Sequence, residues 1–343
     1  MSDKISIGIL GSGTWGIALA RLLCNAGHSV TVWSAIQEEI DVLSSTNKHP
    51  NIPEIELPTQ IEYTKNIEIA CRNKELLLFA VPSPFVRSTA RIAAPYISAE
   101  QIIVDVAKGI EEETLLTMTD IIAEEINLPE LRIVALSGPT HAEEVIMDLP
   151  TTIVSASKDI KAAEYVQTVF NTSCLRVYTN DDLLGVELCG ATKNIIALAC
   201  GIAMGIGCGD NAKAAIITRG IAEISRLGAA MGCREQTFGG LAGIGDLIVT
   251  ATSMHSRNFR CGILIGKGVS VEDAILQIGM VVEGLNALPA AIKLAKKHNV
   301  QMPIIEAIDA IVSDGADIPT VIQSLMSRDL KSEVGALSFD ERN

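Results

Sequence analysis

The chain reads as an α/β protein: an N-terminal part built on a mostly parallel sheet wrapped by helices, then an all-α C-terminal part. Three observations carry that expectation. Short apolar runs alternate with amphipathic stretches as far as about residue 180, and strand patterns nearly vanish beyond it. A glycine-rich turn, Gly11-Ser12-Gly13-Thr14-Trp15-Gly16, follows the first apolar run at once. Hydrophobic residues make up 48% of the 343 positions but aromatics only 3%, so the core must be aliphatic, which favours a sheet with helices over a β-sandwich. That length suits two domains, taken as 1–180 and 181–343.

Ile5–Leu10 is expected as a buried strand, and an apolar helical pattern runs through Ile17, Leu19, Ala20, Leu22 and Leu23. Between them Gly11 permits the tight turn, Gly13 lets the backbone approach a pyrophosphate, and Gly16 lets the helix pack closely on the strand. The free N–H groups of that helix end favour the phosphates. Strand, glycines, helix and a second strand (Ser29–Trp33) in this order define a dinucleotide-binding Rossmann domain. A helix at Ile36–Leu43 and a proline-rich loop from His49 to Pro58 come next. Further strands are expected at Leu76–Val81, Ile102–Ala107, Ile133–Leu136, Thr151–Ala156 and Leu175–Tyr178. Ligands of such sheets bind beyond the carboxyl ends of the strands. Pro82–Phe85, Lys108 and Gly138–Ala142 occupy those positions, which makes Lys108 a site candidate. Thr140 has two readings, a substrate contact or a helix cap after Gly-Pro. Helices are expected over Leu183–Met204, Asn211–Met231, Val271–Ile278, Asn286–His298 and Met302–Ile311, with short ones after, and Asp210 could cap the second. The tail from Ser332 to Asn343 is expected to be mobile.

Composition excludes several classes. A net charge of −14 argues against a nucleic-acid partner, which needs a basic footprint. The start of the chain has no basic-then-apolar signal, and the uncharged run Asn194–Gly209 falls short of the ~20 apolar residues of a membrane span. The eight cysteines are scattered without a C-x-x-C pair and the five histidines without close spacing, so reduced thiols in a cytoplasm and no metal are expected.

Reactive polar residues concentrate between Glu187 and Asn258. Lys193 and Asn194 enter an apolar, glycine-rich run, and desolvation lowers the pKa of such a lysine toward the range useful for acid–base work. By helical spacing Lys193 shares a face with Cys189, Ala197, Cys200 and Met204. It is therefore paired, at an interface or functional, and snorkelling or a pairing with Glu187 is the bland alternative. Asp246, after Gly243-Ile244-Gly245, becomes its partner or a turn residue. Thr250, Ser256, Arg257 and Asn258 follow; an arginine between hydroxyl and amide groups suits a phosphate or carboxylate. Glu283 could accept a cofactor hydroxyl or cap a helix. Together these suggest proton movement on a small anionic substrate.

GSGTWG, AVPSP, AKG, SGPTHAEE, ELCGATKN, GDNAKAAIITRG, GLAGIGDLIVT, SRN and VVEG, in this order from Ile5 to Gly284, resemble the motif series of bacterial NAD(P)-dependent glycerol-3-phosphate dehydrogenases. The glycine turn is widespread; the Lys-Asn, Gly-Asp and Ser-Arg-Asn elements together are specific. The resemblance implies reversible reduction of dihydroxyacetone phosphate to sn-glycerol 3-phosphate with NAD(H) or NADP(H), feeding phospholipid synthesis, and a homodimer. It implies Lys193 as proton donor and acceptor and Lys108 as a second substrate lysine. It further implies substrate contacts at Gly138, Thr140, Asp246, Ser256, Arg257 and Asn258. Cofactor contacts would come from Thr14, Trp15, Lys108, Ala142, Arg257, Val281 and Glu283. One departure stands out. Where the family commonly places a basic residue two positions after the tryptophan, the chain reads Trp33-Ser34-Ala35, with neither a base for a 2′-phosphate nor an acid for the free ribose. Cofactor preference is left open. A ketoacid or ketopantoate reductase is the nearest rival, and a non-catalytic dinucleotide sensor the rival of a different class.

Overall fold

A computed structural model of the chain describes residues 4–330, so the C-terminal tail from Ser332 lies outside the described residues. The first part contains β1 (Ser6–Leu10), α1 (Thr14–Asn25), β2 (Ser29–Trp33), α2 (Gln37–Thr46), β3 (Glu62–Thr64), α3 (Ile67–Cys71), β4 (Leu76–Phe79), α4 (Val86–Ala93), β5 (Ile102–Asp105), α5 (Met118–Ile126), β6 (Arg132–Ser137), α6 (Ala142–Val145), β7 (Thr151–Ala156), α7 (Ile160–Phe170) and β8 (Leu175–Asn180). Helices follow: α8 (Leu183–Gly205), α9 (Asp210–Ala230), α10 (Glu235–Phe238), α11 (Asp246–Thr252), α12 (Arg257–Gly266), α13 (Val271–Ile278), α14 (Glu283–Lys297), α15 (Pro303–Val312) and α16 (Ile318–Met326).

The strands form one sheet in the order β3-β2-β1-β4-β5-β6-β7-β8. All neighbours are parallel except β6 and β7, which pair antiparallel. The chain turns one way from β1 to β2 and β3 and the other way from β4 onward, so the crevice opens between the carboxyl ends of β1 and β4. Side chains alternate across the sheet as the two-residue period demands. Leu76 and Leu78 pack with Ile17, Leu23 and Phe170 on one face; Leu77 and Phe79 pack with Val86, Ala90 and Ile122 on the other. Such double-sided burial explains why these strands are unbroken apolar runs.

The helical part is built around α8, whose 23 residues are almost entirely buried. α8 is long and apolar enough to cross a membrane, but here it is a core helix covered by its neighbours. Asp182 caps it, accepting from Gly185 N at 3.1 Å, and Ser256 caps α12, accepting from Phe259 N at 3.2 Å. Backbones of α8 and α12 nearly touch. A Cβ on Gly262 would sit 2.2 Å from the Leu198 carbonyl oxygen, and one on Gly201 2.2 Å from that of Phe259.

Several expectations need correction. Strand β3 is an addition, and α11 and α12 are regular helices where only motifs stood out. The strands expected to reach Val81 and Ala107 stop at Phe79 and Asp105, because the chain leaves the sheet to form the crevice rim. Asp210 does not cap α9: Gly209 holds that position, and Asp210 pairs with Lys213 at 2.7 Å in the first turn.

Candidate active site

The glycine turn crosses from β1 to α1 beneath Trp33 and Ala80. Gly11 adopts φ +122°, and a Cβ there would lie 2.6 Å from the Ala80 carbonyl oxygen. A Cβ on Gly16 would press to 2.4 Å on the carbonyl of Gly11, which is why α1 can start so close to the strand. Gly13 is different: nothing lies within 4 Å of its missing Cβ, and as the cap residue of α1 it offers no side chain to the free N–H groups. Uncapped donors beside that open space make a cradle that fits a pyrophosphate. Thr14 Oγ1 accepts from Asn51 Nδ2 at 3.0 Å, and Trp15 is half-buried against the core beside Ala142, the first residue of α6.

Across the crevice, α8 delivers Lys193 from its middle. The side chain is 6% exposed; its Nζ donates to Asp246 Oδ1 at 2.5 Å and to Thr250 Oγ1 at 2.6 Å. Lys108, just beyond β5, donates from its Nζ to Asp246 Oδ2 at 2.6 Å and to the Gly138 carbonyl at 3.4 Å. One carboxylate therefore bridges two ammonium groups, and the pairing partner of Lys193 is Asp246. Glu187 is elsewhere, accepting from Thr119 N at 2.9 Å and from the Thr117 and Thr119 hydroxyls at 2.9 and 2.6 Å.

Local sequence makes this cluster. Leu241–Gly245 form a π-helical turn, a wider turn that proteins use to re-aim a side chain, and it runs straight into Asp246. Only glycine fits at Gly243, where a Cβ would lie 2.1 Å from the Phe238 carbonyl oxygen. Gly190, one turn before Lys193, leaves room for the stem of Lys108, whose Cγ lies 3.4 Å from the position of an added Cβ.

Burial pushes the Lys193 pKa down to about 7, a fall that Asp246 opposes and Lys108 reinforces. Burial alone would raise the Asp246 carboxyl, but Lys108 and Lys193 more than offset it and hold it below the ordinary carboxylate value. The result is a buried ammonium that can give up a proton near neutrality, beside a carboxylate that stays charged.

The residues expected to hold an anion are only partly assembled. Asn258 Nδ2 donates to Asn194 Oδ1 at 3.0 Å while its Oδ1 accepts from Gly284 N at 2.8 Å. Ser256 caps α12. Ser256, Arg257 and Asn258 thus do not converge as three free donors; the exposed Arg257 guanidinium makes one long bond, 3.5 Å, to the Val281 carbonyl. Thr140 is not the cap of α6, which is His141, and its hydroxyl turns back to the Gly138 carbonyl at 3.1 Å. His141 bonds to the Val249 carbonyl at 3.2 Å, and burial lowers its pKa, so it brings no charge. His255 is exposed, in the turn between α11 and α12.

Glu283 opens α14 and accepts from Ser83 Oγ at 2.6 Å, tying the helical part to the rim after β4. The bond from Ser83 to Glu283 escaped notice because a serine between two prolines signals only a turn. The Thr117–Thr119–Glu187 bonds escaped for a similar reason: cap hydroxyls say nothing of a partner 70 residues on.

A phosphate cradle at the first βα turn, faced by a proton-carrying ammonium across the crevice, defines a Rossmann-type, dinucleotide-dependent oxidoreductase. Comparison with known proteins narrows the class. Residues 6–163 match the model of the NAD-dependent glycerol-3-phosphate dehydrogenase N-terminus, and residues 182–323 match that of its C-terminus. The chain is 59% identical to glycerol-3-phosphate dehydrogenase (NAD(P)+) 2 of Lactobacillus delbrueckii subsp. bulgaricus, over 96% of this chain and 98% of that one. The crystal structure of the Coxiella burnetii glycerol-3-phosphate dehydrogenase superposes with a TM-score of 0.90 at 34% identity, covering 95% and 99% of the two chains. A ketopantoate reductase from Ralstonia eutropha JMP134, at 14% identity and a TM-score of 0.60 over 94% and 100%, shares the fold alone. The chain belongs to the NAD-dependent glycerol-3-phosphate dehydrogenase family.

Proposed function

We propose that the chain catalyses the reversible, NAD(P)-dependent interconversion of dihydroxyacetone phosphate and sn-glycerol 3-phosphate, with Lys193 as the proton donor and acceptor. The observation that carries this reading is the ammonium–carboxylate–ammonium cluster of Lys193, Asp246 and Lys108 at the mouth of the dinucleotide crevice. With its pyrophosphate held by the glycine turn at Gly11, Gly13 and Gly16, a bound nicotinamide dinucleotide would supply the hydride for the ketone carbon. Protonated Lys193 donates to the ketone oxygen as negative charge develops there, and Lys108 stabilises that charge. Asp246 orients both lysines and offsets the cost of burying them. Arg257, with Asn194 and Asn258 behind it, takes the phosphate, and its freedom from tight partners suits that task. Gly138, Thr140 and Thr250 border the substrate. Gly11, Gly13, Thr14, Trp15 and Gly16 hold the pyrophosphate side of the cofactor, and Ala142, Val281 and Glu283 its other edges.

The same reading divides the chain near residue 180 into a cofactor domain and a substrate domain. It makes the protein a cytoplasmic homodimer that supplies glycerol phosphate for phospholipid synthesis. The test is oxidation of NADH and of NADPH with dihydroxyacetone phosphate as sole acceptor, with 2-ketoacids and ketopantoate as controls. Turnover on the triose phosphate is expected from the wild type, and about 10²–10⁴-fold less from Lys193→Ala, with cofactor binding retained. Turnover on ketoacids alone would reject the substrate, and near-normal rates in Lys193→Ala would remove that lysine as the acid.

A further inference from the structure

Ser34 and Ala35 leave the end of β2 without an ionised side chain, but the fold brings one from another element. Glu39 lies in the first turn of α2, and its Oε2 accepts from Ser34 Oγ at 2.6 Å and also from Ser12 Oγ. Ser12 stands inside the glycine turn, and both serines are buried, at 3% and 5% exposure. The two hydroxyls pin the carboxylate over the carboxyl ends of β1 and β2 together, while Glu39 itself remains exposed. Register puts these strand ends side by side, Leu10 opposite Trp33, with Gly11 N bonded to the Trp33 carbonyl at 2.9 Å.

In an open α/β sheet, the ribose of the adenosine half lies over this point. A carboxylate there accepts from its free hydroxyls, and an arginine accommodates a 2′-phosphate. We propose that Glu39 is the ribose-recognising residue of this chain and sets its preference for NAD(H) over NADP(H). This rests on the dinucleotide occupying the glycine turn.

The surroundings favour one answer. Among the described residues no lysine or arginine forms an ion pair with Glu39. His49 is near enough to feel its charge, yet burial holds the imidazole below its ordinary pKa and therefore neutral at physiological pH. A 2′-phosphate, carrying between one and two negative charges, would meet a carboxylate that no described lysine or arginine neutralises by an ion pair. The two serines cannot compensate, because their hydroxyl protons are already directed at Glu39. A ribose with free hydroxyls needs only an acceptor, and the second carboxylate oxygen, Oε1, supplies it. Position in the sequence hid this, since Glu39 comes six residues after Trp33, where an exposed helical glutamate reads as a solvated face.

The experiment is equilibrium titration of the full chain with NADH and with NADPH by calorimetry, in the wild type and in Glu39→Gln. Glutamine keeps the shape and an acceptor for the serines while removing the charge, and the exposed position makes the variant safe to fold. The wild type should bind NADH about tenfold or more tightly than NADPH, and the variant should lose most of that ratio, chiefly by gaining affinity for NADPH. The fragments 5′-ADP and 2′,5′-ADP, which lack the nicotinamide, should show the same change; a distortion of the catalytic side of the crevice would not produce it. Equal affinities in the wild type, or a ratio untouched by the substitution, would overturn the role of Glu39. Failure of both cofactors to bind would overturn the dinucleotide site itself.

Discussion

Asp246 sets how long Lys193 keeps its proton. Burial takes the lysine down to about 7 even with the carboxylate in place, so removing the charge while Lys108 stays must lower it further. Lysine is the acid in ketone reduction only below its pKa, so reduction should fall as pH rises through that value, and alcohol oxidation should fall as pH drops through it. Asp246→Asn is therefore expected to move the alkaline limb of kcat/KM for reduction to lower pH by about one unit or more. The pH–rate profile checks this, and an unmoved limb would reduce Asp246 to a structural residue. At this scale the pairing of Lys193 with Asp246 was legible. A lysine inside an apolar helix cannot stand alone, and an aspartate after a glycine turn was the available counter-charge. Ser83 with Glu283, and Glu39 with its two serines, were not legible, because each pairing joins common surface residue types through the fold.

Elements place what residues carry. Gly190 is the clearest case: a Cβ there would stand 3.2 Å from Ser137 Oγ and 3.4 Å from Lys108 Cγ, so Gly190→Val must push the Lys108 stem aside. Turnover should fall about tenfold to a hundredfold with cofactor affinity preserved, as expected when a charged group is misplaced by an ångström. Steady-state rates alongside calorimetric cofactor titration would check it, and full activity would show that the position of Lys108 is not critical. The central strands were readable because burial on both faces makes them continuous apolar runs. Strand β3 was not, since Glu62-Tyr63-Thr64 is three residues on a half-exposed edge. The reversed direction of β7 leaves no mark in a two-residue period. The π-helical turn before Asp246 also resists reading, because its glycines look like those of any loop.

Across the whole molecule, the sheet and the helical bundle meet through side-chain bonds: Lys108 to Asp246, Ser83 to Glu283, and Thr117 and Thr119 to Glu187. The acidic surface opposes an anionic substrate at long range, so capture depends on the local cations. The glycine seam between α8 and α12 then takes on a further meaning. Lys193 lies about two turns from Gly201 on one helix, and Arg257 opens the other just before Gly262. With backbone against backbone, neither helix can slide, so on the proposed reading the seam would fix the span from Lys193 at the carbonyl to Arg257 at the phosphate. Gly262→Ala should open it, at a cost of roughly 1–3 kcal/mol in folding stability. Substrate affinity should fall by more than cofactor affinity, read from thermal melts and from KM for dihydroxyacetone phosphate. On that reading, the length of molecule the site accepts would be written in the glycines where α8 meets α12.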